Sequence, residues 1–163
     1  MIMKILTVYF SKTGHTKAIA EIIHEAVGGD IREIRTKRNY AHSYGMAVLQ
    51  GGLEQLRKSL PELSEMPETA EYDVVFIGSP VWWFTLAPAA KSFISKMEWK
   101  GKRIYPFFTN GGQPGNTAND FKTFLENKGA VVGNSLSVSY KRNLMQKPVD
   151  EIIHWAKENK FRE

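Results

Sequence analysis

The chain has 163 residues, of which 42% are apolar and 24% charged, so we expect residues 1–163 to form a single globular domain with a buried core. It contains no cysteine, which excludes disulfides, thiolate metal sites, iron–sulfur clusters and cysteine nucleophiles. The formal charge is +5, but the cations are dispersed, so we expect a solvated surface of mixed sign and no nucleic-acid site.

The N-terminal segment begins with a predicted strand and helix. Residues 5–10 are rich in Val, Ile and aromatic side chains, which favours a strand. Because this apolar run is too short for a signal-peptide core or a membrane span, we expect a cytoplasmic protein without membrane insertion. Apolar residues at helical spacing then predict a helix over residues 16–27, which ends at Gly28-Gly29.

The next segment is predicted as a second strand, a helix and a third strand. Residues 30–35 give a short strand, and residues 39–60 repeat apolar side chains at helical spacing. Gly51-Gly52 interrupts that repeat, so we expect irregularity in the middle of the helix. Residues 72–78 are almost all apolar, as in a central parallel strand that is covered on both faces.

Helices and strands keep alternating to the end of the chain. The remaining predicted elements are a helix over 87–97, a strand over 103–109, a helix over 117–127, a strand over 130–138 with a potential break at Gly133-Asn134, and a helix over 149–159. This alternation predicts an α/β fold, a doubly wound parallel sheet with helices on both faces. Ligands of such sheets bind beyond the carboxyl ends of the strands, where the strand order reverses.

A polar loop over residues 9–16 joins the first strand to the first helix. The N–H groups at a helix N-terminus lack partners within the helix, and the helix dipole places partial positive charge there. The hydroxyls of Ser11, Thr13 and Thr16 can add donors without any obligatory lysine. The loop therefore predicts an anion cup that suits a phosphate.

A second loop follows the third strand and ends in Trp82, Trp83 and Phe84. Three consecutive aromatic side chains cannot all enter the core, because neighbouring side chains diverge. A flat apolar wall of this kind suits a planar heteroaromatic ring. The alternative is that Trp82 and Trp83 only cover the core or form an oligomer contact, and the sequence leaves both interpretations open.

A third loop over residues 109–116 is rich in glycine and contains no acid. Glycines let the backbone approach a ligand and turn its N–H groups toward it, although plain turns also use Asn and Gly. The loop matches neither the dinucleotide-binding fingerprint nor the ATP-binding phosphate loop.

Together the three loops resemble the flavodoxin-like family, over essentially the whole chain and in the same order. Residues 10–16 are similar to its FMN phosphate loop, with His15 where asparagine or another polar residue commonly sits. Residues 78–83 resemble the second flavin loop of short bacterial members, and residues 109–112 resemble the third. The resemblance implies a five-stranded sheet in the order 2-1-3-4-5 and a noncovalently bound FMN.

The resemblance also implies roles for individual residues. The phosphate would be held by Ser11, Thr13, Gly14, His15 and Thr16, with Lys12 adding charge. The isoalloxazine ring would be flanked by Pro80, Val81, Trp82 and Trp83, and its pyrimidine edge would be met by the backbone of Asn110, Gly111 and Gly112. No catalytic side chain is required, because the flavin itself carries electrons and hydride.

Three interpretations of the function remain. We favour an electron carrier between redox partner proteins, although its basic charge argues against the reductase partners of the family's acidic carriers. The second is an NAD(P)H-dependent quinone or nitro-compound reductase, with its small-molecule acceptor held against Trp82, Trp83 and either Tyr40 or Tyr44. The third is an interaction protein that keeps the fold without the cofactor.

The sequence does not predict a metal site or a hydrolase. None of the four histidines has a second ligand at metal-binding spacing; they are His15, His24, His42 and His154. The chain also lacks the Gly-x-Ser-x-Gly elbow, so we do not expect a serine hydrolase triad.

Overall fold

The computed structural model describes residues 2–37, 44–56 and 60–162. Its strands are β1 (Ile5–Tyr9), β2 (Asp30–Glu33), β3 (Arg35–Thr36), β4 (Leu63–Glu65), β5 (Val74–Trp82), β6 (Thr85–Leu86), β7 (Arg103–Asn110), β8 (Val131–Val132), β9 (Leu136–Lys141) and β10 (Leu144–Met145). Its helices are α1 (His15–Val27), α2 (Tyr44–Leu56), α3 (Pro88–Lys96), α4 (Thr117–Glu126) and α5 (Val149–Lys160).

The main sheet has the order β10-β9-β7-β5-β1-β2. Strands β2, β1, β5, β7 and β9 pair in parallel, which confirms the doubly wound α/β class and places these five strands in the order 2-1-3-4-5. The predicted count of five strands is too low, because within the described residues the short strands β6, β8 and β10 bring the sheet to eight. Strands of two residues carry no readable alternation of apolar and polar side chains.

Two predicted strands are divided in the structure. The strand predicted over residues 30–35 ends at Glu33, and β3 turns away to pair with β4 in a separate two-stranded sheet. The predicted break at Gly133-Asn134 is confirmed, because β8 and β9 both pair with β7 and the Gly133 N–H donates to the Ile104 carbonyl at 2.9 Å between them.

The helix predicted over residues 39–60 is regular where the structure describes it. α2 runs without a break through Gly51-Gly52, so the predicted irregularity is wrong. Residues 39–43 and 57–59 of that prediction lie outside the described residues. No helix in the described ranges is long and apolar enough to cross a membrane.

The core of the described residues lies on both faces of the sheet. One cluster contains Leu6, Val75 and Phe93, and the other contains Ile19 and Phe76. Neighbouring β5 residues alternate between the two clusters, as expected for a strand that is covered on both faces. This packing fixes the positions of the strand ends from which the loops of the site emerge.

Candidate cofactor site

The three loops lie at one edge of the sheet. They follow β1, β5 and β7, which are adjacent and parallel, so their carboxyl ends meet at the same edge. The structure thus brings together the anion cup over residues 10–16, the aromatic turn at residues 83–84 and the glycine-rich loop over residues 111–116.

The anion cup has the backbone geometry that an anion requires. Gly14, the N-cap residue of α1, has a φ of 94°, a left-handed conformation that favours glycine, and no atom lies within 4 Å of where a Cβ would be. Its own N–H donates to the Ser11 Oγ at 3.1 Å, while no side chain caps α1. The first-turn amides of α1 therefore face an open, exposed cup whose other donors are the hydroxyls of Ser11 and Thr13.

Thr16 is the one predicted phosphate residue whose side chain is buried. Its hydroxyl hydrogen-bonds the Thr109 hydroxyl at 2.8 Å, which ties the start of α1 to the end of β7. Either hydroxyl can donate, and the one that accepts retains its own proton for a further acceptor. The Thr16 side chain thus links the first and third loops, and its backbone N–H remains in the first turn of α1.

His15 is held by Tyr140, a residue that no sequence pattern assigned to the site. The Tyr140 ring stacks on the His15 imidazole with centroids 3.9 Å apart and planes within 4°, and the Tyr140 hydroxyl donates to the His15 carbonyl at 3.4 Å. Burial raises the pKa of the Tyr140 phenol. The two residues are 125 positions apart, and only the sheet order brings the end of β9 beside the start of α1.

The second loop is a two-residue turn with a strained backbone. Trp83 and Phe84 have φ values of 54° and 63°, the left-handed region that large side chains rarely adopt. The third loop supports this turn: the Asn116 N–H donates to the Phe84 carbonyl at 2.8 Å, and a Cβ at Gly115 would lie 2.5 Å from that oxygen. The second and third loops therefore pack as one unit.

The two tryptophans of the second loop have opposite environments. Trp82 is fully buried, and its indole meets the Phe10 ring edge-on at 5.7 Å. Trp83 is 49% exposed and Phe84 is 58% exposed, while the Trp83 indole N–H donates to the Val48 carbonyl on α2. The prediction that both indoles flank a ring is therefore wrong for the Trp82 side chain, because the core already covers both of its faces.

The other predicted ring contacts are partly taken up by the fold. Pro80 is buried and Val81 is half-buried, while neighbouring Ser79 uses its hydroxyl to accept the Ala87 N–H at 2.9 Å. These strand residues offer a ligand only limited side-chain surface. The exposed apolar surface of the second loop comes instead from Trp83 and from Phe84, which the sequence analysis did not assign to the site.

The third loop is shaped by Asn110. Its amide NH₂ donates to the Ser137 Oγ at 2.9 Å, and its side-chain oxygen accepts the Gly112 N–H at 2.8 Å. Gly112 has a φ of 115°, and Gly111 and Gly112 are both exposed with open space where a Cβ would be. The backbone of Gly111 and Gly112 is therefore open to close approach, although the Gly112 amide already has an internal acceptor.

A cleft of about 630 Å³ borders the anion cup on the side of β2 and β3. Lys12 lines it together with Arg35 and Lys37, whose charges are paired with Glu33 at 3.0 Å and Glu62 at 3.3 Å. The hydrogen bonds that the Arg35 guanidinium donates to the Glu33 carboxylate raise the pKa of Arg35. The cleft is thus of mixed charge.

The remaining predicted residues lie elsewhere. Tyr40 and His42 are outside the described residues, as is the side chain of Tyr44. His24 lies on α1, and His154 is exposed on α5 at 4.0 Å from Glu158. Among the residues that the structure describes, no group of three acidic or histidine side chains could hold a metal ion.

Comparison with known proteins gives a consistent result. Residues 4–152 match the family model described as Flavodoxin. A proposed flavoprotein from Bacteroides eggerthii DSM 20697 is 29% identical, with a TM-score of 0.81 over 99% of this chain and 100% of that one. Another from Bacteroides uniformis ATCC 8492 is 27% identical, with a TM-score of 0.79 over 96% of this chain and 99% of that one.

A flavoprotein from Lactobacillus acidophilus NCFM, solved in complex with FMN, shares the fold at 23% identity. Its TM-score is 0.72 over 83% of this chain and 93% of that one. No curated protein matches the sequence.

Proposed function

The chain belongs to the flavodoxin family, and we propose from this that it binds FMN noncovalently and transfers electrons between redox partners in the cytoplasm. The observation that carries the proposal is the α1 N-terminus, which is capped by no side chain and opens at the same edge of the sheet as the turn that carries the exposed Trp83 indole. The bound FMN supplies the electron chemistry, and the side chains of this protein bind and orient it.

The donor set of the anion cup fits the FMN phosphate. A phosphate dianion is stabilised by unpartnered helix amides and by the positive end of the helix dipole. Ser11 and Thr13 add hydroxyl donors to the amides of His15 and Thr16. Lys12, which is half-buried beside the cup, adds positive charge. A site for neutral riboflavin would gain nothing from this arrangement.

The other two loops fit a planar ring system. The Trp83 indole is held against α2 by its bond to the Val48 carbonyl, so its exposed surface has a fixed orientation. Gly111 and Gly112 offer backbone without side chains, and an added ring can approach them closely. The exposed apolar surfaces of Trp83 and Phe84 would exclude water from a ring held against them, and loss of water disfavours a charged reduced flavin.

Reduction of quinones or nitro compounds by NAD(P)H is the second candidate function. It is favoured by the exposure of Phe84, 58%, next to the exposed Trp83. Two aromatic faces at one sheet edge could hold a flat acceptor against a flavin. An electron carrier needs only an accessible flavin edge and uses no such substrate surface.

Adding each nicotinamide to FMN-loaded protein under anaerobic conditions separates these functions. For an electron carrier, we expect the visible flavin absorbance to fall no faster than that of free FMN with NADPH or NADH, and rapidly with dithionite. Fast bleaching by either nicotinamide, followed by reoxidation on addition of a quinone, would establish the reductase instead. A colourless protein that takes up no FMN from excess would favour an interaction protein without a cofactor.

A further inference from the structure

We propose that Tyr140 is a positioning residue for the FMN phosphate site and that, through His15, it makes this site prefer FMN over riboflavin. The inference rests on the proposed FMN function and adds to it a residue from the last parallel strand. The observation that carries it is the stack of the Tyr140 ring on the His15 imidazole, at 3.9 Å between centroids.

The stack restricts the directions in which His15 can donate. Both ring nitrogens of an imidazole donate or accept in the plane of the ring. Because the two rings lie within 4° of parallel, the Tyr140 ring sets that plane. The hydroxyl of Tyr140 also donates to the His15 carbonyl at 3.4 Å, so side chain and backbone of His15 are held by the same residue. His15 begins α1, where the anion cup lies.

Tyr140 is itself fixed by the sheet. It lies on β9 opposite Met145 of β10, and the Gln146 N–H donates to the Ser139 carbonyl at 2.9 Å, which extends the pairing of the two strands beyond Tyr140. A residue on a paired strand holds its partner more accurately than a residue on a loop. A preoriented imidazole loses little conformational entropy when it hydrogen-bonds a phosphate, which increases the affinity for FMN and not for riboflavin.

The test is a fluorescence titration of the apoprotein with FMN and, separately, with riboflavin. We expect Tyr140→Leu to weaken FMN binding by about tenfold, which is the upper range for one stacked pair. Riboflavin affinity should stay within about twofold, because riboflavin has no phosphate to contact. Tyr140→Phe keeps the ring and should retain most of the FMN preference.

A double-mutant cycle separates positioning from packing. If Tyr140 acts through His15, Tyr140→Leu should cause no further loss of FMN affinity in a His15→Ala background. Equal loss of FMN and riboflavin affinity, or additive effects in the cycle, would overturn the proposal while leaving FMN binding established. Failure of the unmodified protein to bind FMN would overturn both the proposed FMN function and the role of Tyr140.

Two further variants separate the proposed effect from misfolding and from a general loss of packing. Tyr140→Val, which keeps a strand-favouring side chain, replaces Tyr140→Leu if the latter does not fold. Trp155→Leu is the matched control, because this variant also loses one aromatic contact, with Phe76, and one hydrogen bond to a backbone carbonyl, that of Asn134. We expect it to lower the thermal midpoint and to leave the ratio of FMN to riboflavin affinity unchanged; a changed ratio would contradict the assignment to Tyr140.

Discussion

The indole of Trp83 lies directly on the backbone of Gly52, where a Cβ would meet the indole Nε1 at 2.4 Å. The preceding pair repeats this relationship, because a Cβ at Gly51 would lie 2.6 Å from the indole ring of Trp82. Two neighbouring glycines of α2 therefore receive two neighbouring indoles, one buried in the core and one exposed at the site. The double glycine is a packing surface for tryptophan rather than a helix break.

Gly51→Ala should destabilise the protein although alanine is the better helix former. Alanine normally gains about 1 kcal/mol over glycine within a helix. Here its methyl group would overlap the buried Trp82 ring, and overpacking a core costs about 1–3 kcal/mol. The free energy of unfolding in urea measures the balance. Gly52→Ala is the control, since it displaces the exposed Trp83 indole, and should cost less; a more stable Gly51→Ala variant would refute the packing account.

Trp83→Ala and Trp82→Ala should have different consequences. Trp83 is exposed at the sheet edge where the proposed ring site lies, so its loss should shift the absorbance or the reduction potential of bound FMN and change stability little. Trp82 is fully buried, so its loss should cost about 3–5 kcal/mol of stability. Flavin spectra, potentiometry and urea unfolding of both variants test this. An unchanged flavin in Trp83→Ala would show that the exposed indole is not part of the ring site.

The buried hydroxyl pair of Thr16 and Thr109 should behave as one unit. Thr16→Val or Thr109→Val leaves the other hydroxyl buried without this partner, at a cost of about 1–3 kcal/mol. Replacing both should cost less than the sum of the single changes, because no unpaired hydroxyl remains. Urea unfolding of the two single variants and the double variant gives the coupling energy, and strict additivity would be the contrary result.

Tyr72 should make stability depend on pH in the alkaline range. Burial, and then its 2.7 Å hydrogen bond to Asp30, raise the pKa of Tyr72 from 10.0 to about 12. Because the folded-state pKa is the higher one, this stabilisation is complete below pH 10 and is lost as the pH rises through 12. Tyr72→Phe should cost about 1 kcal/mol at neutral pH.

The difference between the unmodified protein and Tyr72→Phe isolates this group from the other tyrosines. It should shrink steadily between pH 10 and pH 12 in urea unfolding experiments. A difference that stays constant across that window would show that the phenol of Tyr72 titrates normally in the folded protein.

The order of the parallel strands followed from the family resemblance. The alternation of strands and helices and the location of the three loops could be predicted from local patterns in the sequence. The environments of Trp82 and Trp83 could not. β5 continues to Trp82 instead of ending at Gly78, so the second loop shrinks to two residues. Nothing local in the sequence says which indole meets Gly51 and which meets Gly52.

Contacts between residues far apart in the chain could likewise not be predicted from the sequence. Tyr140 lies on β9, two residues beyond the end of the strand predicted over residues 130–138, and its contact with His15 exists only because the sheet order brings β9 near α1. Asp120 accepts hydrogen bonds from the Thr85 hydroxyl and the Asn116 side-chain amide, and so joins β6 to the third loop. Such contacts depend on tertiary packing, which periodicity and turn composition do not encode.

The most direct test of the central claim is a titration of the apoprotein with FMN, followed by flavin fluorescence and visible absorbance. The account predicts saturable binding of one FMN per chain, retained by Thr13→Ser and abolished by Thr13→Glu, because the exposed Thr13 lies in the cup and a carboxylate there repels the phosphate. Absence of FMN binding by the unmodified protein, or unchanged affinity in Thr13→Glu, would contradict it.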